Sequence, residues 1–214
     1  MKIMILLFIL IAQTLSLELK GVHSTHYQEN INWNLVKNSC YFAIIRSGFG
    51  TKYDRYWNAN YNLAKEAGLK VGTMWFSYAN STADAITEAE LCLKGLNGKQ
   101  LEWPIYYEIN EDYIFEKNVQ NQIAEKFCSI LEENGYYCGI FATDKHLVND
   151  FKPSLLKKYS VWVMDIKPQY KGDIVLSKKE KVNGIGEIYT DIGYVDFEPI
   201  MKENGKNGFN KEEE

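Results

Sequence analysis

The sequence predicts a single α/β domain in which a closed barrel of strands lies inside a layer of helices. Strand-like apolar runs and helix-like amphipathic stretches alternate for five rounds, which is typical of a parallel sheet with right-handed crossovers. Strands then follow one another almost alone. About eight strands within roughly 180 residues fit a closed barrel better than an open sheet, and the functional residues of such barrels gather at the C-terminal ends of the strands.

Each predicted strand is a short apolar run that ends in polar or turn-forming residues. The first run ends at His23 before two hydroxyl side chains, and the second ends at Arg46 before a turn rich in glycine. Pro104 opens the fourth run, and acidic and amide residues close it. The predicted strands cover residues 19–23, 41–46, 71–78, 105–109, 137–141, 161–166, 174–176 and 188–197.

The predicted helices show apolar residues at three- and four-residue spacing and end at glycines. The side chain of Asn32 can cap the first helix. Gly68, Gly98 and Gly135 end the next three, and Pro153 interrupts the fifth. The predicted helices cover residues 32–37, 56–67, 82–97, 118–134 and 147–158. Residues 202–214 are polar and lack this pattern, so we expect a flexible tail there.

The composition is that of a globular protein, with 46% hydrophobic and 24% charged residues. A net charge of −4, with Lys and Arg spread along the chain, argues against a nucleic-acid or anionic-membrane partner. Aromatic residues make up 14% of the chain. Aromatic-rich clefts stack on sugar rings, although Tyr and Trp are also common in protein cores. No Gly-rich phosphate loop or nucleophile elbow occurs, and we expect a monomer without a cofactor.

The first residues resemble a cleaved secretory signal. Met1 and Lys2 are followed by a nearly unbroken apolar run over residues 3–12 and by small residues at 14 and 16. The run is too short to span a bilayer, so residues 1–16 are expected to be removed rather than retained as an anchor. The mature protein is then secreted or lies in the lumen of the secretory or endolysosomal pathway.

The four cysteines allow three pairings in an oxidising compartment, and their spacing matches no zinc pattern. We therefore expect structural bridges or buried thiols, and no metal site, from Cys40, Cys92, Cys128 and Cys138. The triplet that begins at Asn80 is a sequon for N-glycosylation, which matters only if the chain is exported.

Residues 103–112 combine a buried strand with polar groups at its C-terminal end. Side chains two apart on a strand point the same way, so Tyr106, Glu108 and Asn110 are expected to share one face. Two carboxylates in this relation could divide the work of glycoside hydrolysis, but here one position holds an amide. Glu111 and Asp112 fit a solvated loop or a helix cap.

With these motifs in order, the chain resembles glycoside hydrolase family 25, the muramidases called Chalaropsis-type lysozymes. Residues 20–24, Lys-Gly-Val-His-Ser, stand where the family opens with Gly-Ile-Asp-Val-Ser. Residues 31–37 resemble its Ile-Asp-Trp segment, and residues 42–50 resemble its Arg-Ala-Gly-x-Gly strand end. The resemblance continues in register through residues 58–72, 75–79, 85–89, 135–136, 181–185 and 195–197. It implies a TIM-like (β/α)5(β)3 barrel over residues 17–201 that cleaves peptidoglycan between muramic acid and glucosamine units.

The resemblance also implies which residues stand in the catalytic positions. In the family an Asp-x-Glu pair on the fourth strand supplies a stabilising carboxylate and the proton donor, and two further Asp residues complete the site. By position, Glu108 replaces the Asp, Asn110 replaces the proton donor, and His23 replaces the Asp of the first strand, while Asp196 is unchanged. An amide has no proton to give, although it can hydrogen-bond a sugar. The family site is therefore degenerate in this chain.

Further residues are expected to contact the substrate because they lie at or near predicted strand ends. At least two of the four aromatics that could line a sugar groove should instead pack in the barrel, because inward and outward positions alternate. These four are Trp75, Tyr106, Tyr107 and Trp162. Glu108 could merely hydrogen-bond Arg46 or a backbone group at the barrel mouth, and His23 could be structural. The predicted substrate-binding residues are Arg46, Trp75, Tyr78, Tyr106 and Trp162.

Three functions remain open at this point. The first is a secreted lysozyme-like barrel that binds peptidoglycan or a related GlcNAc-containing glycan and hydrolyses it weakly or not at all. The second is a working glycosidase whose acid has been rearranged, with Glu108 or His23 as the donor. The third is a barrel that serves as a non-catalytic scaffold for protein interactions. Glu108 and Asp196 are expected to anchor whatever ligand the cleft holds.

Overall fold

A closed ring of strands forms the centre of the computed structural model, which describes residues 17–29, 31–110 and 116–211. One sheet contains all nine strands of the described residues, and it closes because β1 pairs with β2. The two-residue β3 is attached outside the ring, which leaves the predicted eight-stranded barrel. The strands are β1 Leu19–Ser24, β2 Phe42–Phe49, β3 Lys52–Tyr53, β4 Lys70–Phe76, β5 Ile105–Glu108, β6 Cys138–Ala142, β7 Ser160–Val163, β8 Ile174–Val182 and β9 Gly186–Gly193.

The strand directions define two faces of the barrel. From β1 through β2, β4, β5, β6 and β7 to β8, neighbours are parallel, and their C-terminal ends meet at what we call the upper face. The last strand, β9, is antiparallel to both β8 and β1. Residues that follow β9 therefore lie at the opposite, lower face.

The helices that alternate with the parallel strands cover the outside of the barrel and confirm the predicted alternation, whereas the last helix follows β9. Pro153 begins α6 and separates it from α5, as its missing N–H group requires. Ser81 caps α3 by accepting a hydrogen bond from the backbone of Asp84. The helices are α1 Trp33–Val36, α2 Trp57–Glu66, α3 Thr82–Leu96, α4 Lys117–Glu133, α5 Asp144–Asn149, α6 Pro153–Leu156 and α7 Phe197–Glu203.

Alternation along the strands produces two separate hydrophobic cores. On β5, Tyr106 points into the ring and Tyr107 points outward against the helices. The ring interior holds large aromatic side chains, and glycines make room for them. A Cβ at Gly139 would lie 2.4 Å from the Tyr106 ring, and one at Gly21 would lie 2.2 Å from the Phe42 ring. These two glycines are required by the close approach of an aromatic ring rather than by a turn.

The last two strands differ from the prediction. We expected β9 to run to residue 197, but it ends at Gly193, and the chain then crosses the lower face to begin α7. We expected β8 to end at residue 176, but it continues to Val182 and forms a hairpin with β9. The hairpin tip is fixed to the loop before α1, because Asn32 donates a backbone hydrogen bond to Gly184 at 2.8 Å.

The prediction of a flexible tail is wrong for residues 204–211. The side chain of Asn207 is fully buried under the barrel, where its Oδ1 accepts a hydrogen bond from the Tyr137 N–H at 2.6 Å. Its Nδ2 donates to the Trp103 carbonyl at 3.0 Å. Polar composition did not reveal this plug, because one buried amide among polar neighbours has no periodic pattern. Residues 212–214 lie outside the described part.

Asn207→Ala is expected to destabilise the protein. The change leaves a buried N–H and a buried C=O without partners, at about 1–3 kcal/mol each. Asn207 also has a positive φ of 55°, which Asn tolerates better than Ala. Thermal unfolding should show a midpoint lower by roughly 5–15 °C. Asn204→Ala is the matched control, since Asn204 is exposed and bonds only within its own helix end. Equal midpoints for the two variants would contradict the buried plug.

Two predictions concern residues that the structure does not describe. The signal over residues 1–16 lies outside the described part, and so do Glu111 and Asp112. Within the described ranges, no helix has the length and apolar character needed to cross a membrane.

Candidate functional site

The centre of the upper face is formed by His23 and Asp191. His23 lies near the end of β1 and its side chain is 22% exposed, whereas Asp191 lies inside the barrel on β9 and is fully buried. The His23 Nδ1 atom lies 2.8 Å from Asp191 Oδ2. The second carboxylate oxygen, Oδ1, accepts a hydrogen bond from Trp162 Nε1 at 3.1 Å. Asp191 is thus held by two partners, and Nε2 is the second hydrogen-bonding atom of the imidazole.

Aromatic rings form the floor beneath this pair. Phe141 and Trp162 stack with centroids 3.7 Å apart, and His23 meets the Trp162 ring edge-on at 5.2 Å. Tyr106 lies one layer deeper, edge-on to Trp162, and its hydroxyl pairs with Ser160 at 3.0 Å. The floor fixes the orientation of the imidazole and keeps water away from Asp191.

Glu108 lies on the same side of the ring, at the end of β5. It is the register partner of Phe141, whose ring centroid is 6.4 Å from that of His23. It is half-buried, and its negative charge acts on His23. The structure therefore brings together two of the predicted catalytic residues, His23 and Glu108.

The surroundings of His23 favour its protonated form. Burial alone would lower the pKa of His23, but the charge and hydrogen bond of Asp191, with a further contribution from Glu108, raise the pKa above the ordinary 6.5. Burial also raises the pKa of Asp191, although its bonds to His23 and Trp162 oppose the change. When this pair carries a proton, the imidazolium can donate a hydrogen bond to a ligand.

Asp191→Asn is expected to lower the pKa of His23, because the amide keeps the hydrogen-bonding shape but not the charge. NMR titration of the imidazole signals measures this directly, since the chain has 3 His residues. The signal of His146 on α5, which pairs with Asp150 just after that helix, serves as the control. Protonation of His23 favours the folded state, so its stabilising contribution is present below pH 6.5 and is lost as pH rises through the raised pKa. An unchanged His23 titration in the variant would contradict the coupling.

Asn110 is the second residue after β5. It borders a small cavity together with Ser77, Tyr107 and Gln120 of α4. The backbone still pairs as a strand up to Ile109, whose N–H donates to the Phe141 carbonyl at 3.2 Å. Asn110 therefore lies at the upper rim, just beyond Glu108, and whether it faces a substrate stays a prediction.

Arg46 was predicted to bind substrate or Glu108, but the structure gives it other partners. Its Nε and Nη2 atoms lie 3.0 and 2.9 Å from Asp54 Oδ2, and Nη2 also contacts His26 Nδ1. Asp54 further accepts backbone hydrogen bonds from His26 and Tyr56. Arg46 is 8% exposed and ties the loop after β1 to the loop after β3. The prediction missed this role because Asp54 lies in a loop without a recognisable motif.

Three of the predicted substrate-binding aromatics are packing residues. Trp75 points outward from β4 into the helix-side core, 6.2 Å from the Tyr53 ring. Trp162 and Tyr106 point into the ring, and all three are fully buried. The expectation that at least two of the aromatics pack in the barrel is confirmed. Trp162 still acts on the site through its hydrogen bond to Asp191.

Tyr78 is the one predicted aromatic contact with an accessible ring, at 46% exposure. It lies after β4 and lines a cavity of about 420 Å³ with Phe49, Lys52 and Asn80. The buried carboxylate of Glu88 fixes its position by accepting the Tyr78 N–H at 2.8 Å. Burial raises the pKa of Glu88. A flat ring on the rim of a polar cavity suits stacking on a sugar.

The prediction that Asp196 lies in the cleft is wrong. Asp196 is the N-cap of α7 at the lower face, where it accepts hydrogen bonds from the Glu198 N–H at 3.4 Å and the Tyr41 hydroxyl at 3.1 Å. The cleft carboxylate on β9 is Asp191, which we did not predict. Because β9 runs in the opposite direction, the acidic residue five positions earlier is the one that meets His23. Recognising the β8–β9 hairpin could have identified it.

The comparisons with known proteins agree with this architecture. Residues 22–183 match the profile of the family described as glycosyl hydrolases family 25, so the matched segment ends before Asp191. Lysozyme M1 of Streptomyces globisporus is 36% identical over 66 residues, which is 30% of this chain and 22% of that protein.

Two solved structures have the same fold. A family 25 glycosyl hydrolase from Bacillus anthracis superposes with a TM-score of 0.71 at 20% identity, covering 89% of this chain and 94% of that one. The autolysin LytC from Streptococcus pneumoniae, solved in complex with a synthetic peptidoglycan ligand, superposes with a TM-score of 0.71 at 19% identity. The superposition covers 82% of this chain but only 46% of LytC. Taken with the matched segment and the closed barrel, these findings show that the chain belongs to glycosyl hydrolase family 25.

Proposed function

We propose that the upper face of the barrel binds peptidoglycan or a related GlcNAc-containing polysaccharide, and that hydrolysis is weak or lost. The proposal rests on Asn110, which the family resemblance aligns with the proton donor, and the membership of the chain in family 25 supports that alignment. The leaving-group oxygen must be protonated as a glycosidic bond breaks, and an amide cannot supply that proton.

The remaining groups of the upper face are suited to holding a sugar chain. Glu108 is half-buried and can accept hydrogen bonds from hydroxyl groups, while His23 can donate one from Nε2. Tyr78 offers a ring for stacking at the rim. The ligand of the LytC complex is of the proposed class. The apolar run over residues 3–12 supports secretion, and a secreted protein can encounter such a polysaccharide.

Co-sedimentation with insoluble peptidoglycan tests binding. We expect the protein to sediment with the polymer and to be released by soluble GlcNAc oligosaccharides. Protein that stays in the supernatant at all polymer concentrations would contradict glycan binding and would favour the scaffold function.

A second candidate is a working glycosidase in which His23 replaces the lost acid. The His23–Asp191 hydrogen bond favours it, because a carboxylate-paired imidazolium is a competent general acid. Its activity would fall as pH rises through the raised pKa of His23, because the donor loses its proton. His23→Gln should then abolish turnover. If Glu108 is the donor instead, Glu108→Gln should abolish turnover and His23→Gln should not.

A further inference from the structure

Two buried cysteines face each other between α4 and β6, on the helix side of the barrel. Cys128 lies in the C-terminal half of α4, and Cys138 is the first residue of β6. Both belong to the helix-side core and are at most 1% exposed. The two Sγ atoms are 2.9 Å apart.

This separation is shorter than ordinary contact between unbonded heavy atoms, which is about 3.5–4.0 Å even for carbon. A disulfide needs an S–S distance of about 2.05 Å, so the sulfurs must approach by only about 0.9 Å. The backbone already brings the two side chains together, because a short turn connects the end of α4 to β6. We propose that Cys128 and Cys138 form a disulfide when the chain folds in an oxidising environment.

The other two cysteines have different surroundings. Cys92 lies on α3 in the same core. Cys40 precedes β2, and its Sγ atom lies 3.8 Å from the hydroxyl of the adjacent Ser39. The geometry therefore selects the single bond Cys128–Cys138, and we expect Cys40 and Cys92 to remain thiols.

The bond forms by thiol–disulfide exchange with an oxidant such as glutathione disulfide. A thiolate of one cysteine attacks the oxidant and releases one reduced glutathione, and the second cysteine then displaces the other. The two protein sulfurs lose two electrons and two protons, and the oxidant becomes two thiols. Burial raises the pKa of Cys138 well above its ordinary value, so its thiolate is scarce in the folded protein. The bond is therefore expected to form before α4 packs and to resist reductants afterwards.

Peptide mapping of protein refolded in a glutathione redox buffer tests the pairing. No Lys or Arg lies between the two cysteines, so trypsin leaves both in one peptide. Cleavage after Glu132 or Glu133 separates them into two peptides that stay joined only by the bond. We expect this joined pair, with alkylated Cys40 and Cys92. Four alkylated cysteines, or a bond that involves Cys40 or Cys92, would overturn the proposal.

Thermal unfolding provides a second readout. The bond closes a short loop, and reduction of the oxidised wild type should lower the unfolding midpoint by about 5–10 °C. Cys40→Ala should keep this difference, whereas the double variant Cys128→Ala with Cys138→Ala should lose it. If the double variant does not fold, the peptide map of the wild type still shows whether Cys128 and Cys138 are bonded. A redox difference that survives in a folded double variant would contradict the assignment. Neither readout depends on glycan binding.

Discussion

Asn110→Glu is expected to increase peptidoglycan turnover, because it places a carboxylic acid where we propose that the proton donor is missing. A positioned general acid contributes about 10² to 10⁴ in rate, which bounds the gain. The single change should recover only part of this, since residues of one site act as a unit. The triple variant Asn110→Glu, Glu108→Asp, His23→Asp should recover more. Release of reducing ends from purified peptidoglycan measures both.

Asn110→Gln is the matched control, because it adds the same length without an acidic proton. The triple variant also needs a folding control, since His23→Asp places a second carboxylate beside the buried Asp191. Thermal unfolding supplies that control. Equal turnover by the Gln and Glu variants would show that the acid at position 110 is not what the chain lacks.

Glu108→Gln is expected to weaken glycan affinity by about 10- to 100-fold. Hydrogen bonds to a charged group contribute about 1.5–3 kcal/mol, and the amide keeps the shape of the side chain without the charge. The change also removes a negative charge that raises the pKa of His23. His23 is then a poorer hydrogen-bond donor to the glycan, because less of it is protonated. Titration with soluble peptidoglycan fragments measures the dissociation constant.

Asp196→Ala provides the contrast on the lower face. Loss of this N-cap should destabilise the protein by about 0.5–2 kcal/mol, because α7 loses an acceptor for its backbone. Glycan affinity should stay at the wild-type value. If Asp196→Ala lost glycan affinity while Glu108→Gln kept the wild-type affinity, the glycan would lie at the lower face. That result would contradict the proposed site.

The sequence predicted the barrel well because its signals are local and repeated. Alternating strands and helices, ended by Gly68, Gly98 and Gly135, determine the parallel part of the ring. The two-residue alternation also predicted that some aromatics of the cleft region pack in the barrel. Tyr106 and Trp162 point inward, as this rule allows, and Trp75 points outward.

The errors arose where one residue's role depends on a long-range partner. The direction of β9 decides whether Asp191 or Asp196 faces the cleft, and direction depends on the pairing of β9 with β8 and β1. Asn207 is buried only because the barrel base supplies Trp103 and Tyr137 as partners. Spacing along the chain contains neither fact.

The most direct test of the account is the rate at which the wild-type protein releases reducing ends from peptidoglycan to which it is bound. The bound fraction and the released ends are measured in the same reaction, with an intact family 25 enzyme in parallel. We expect clear binding and a rate lower by about 10² to 10⁴. A rate equal to that of the intact enzyme would contradict the central claim, because it would show that Asn110 has not removed the acid that the reaction needs.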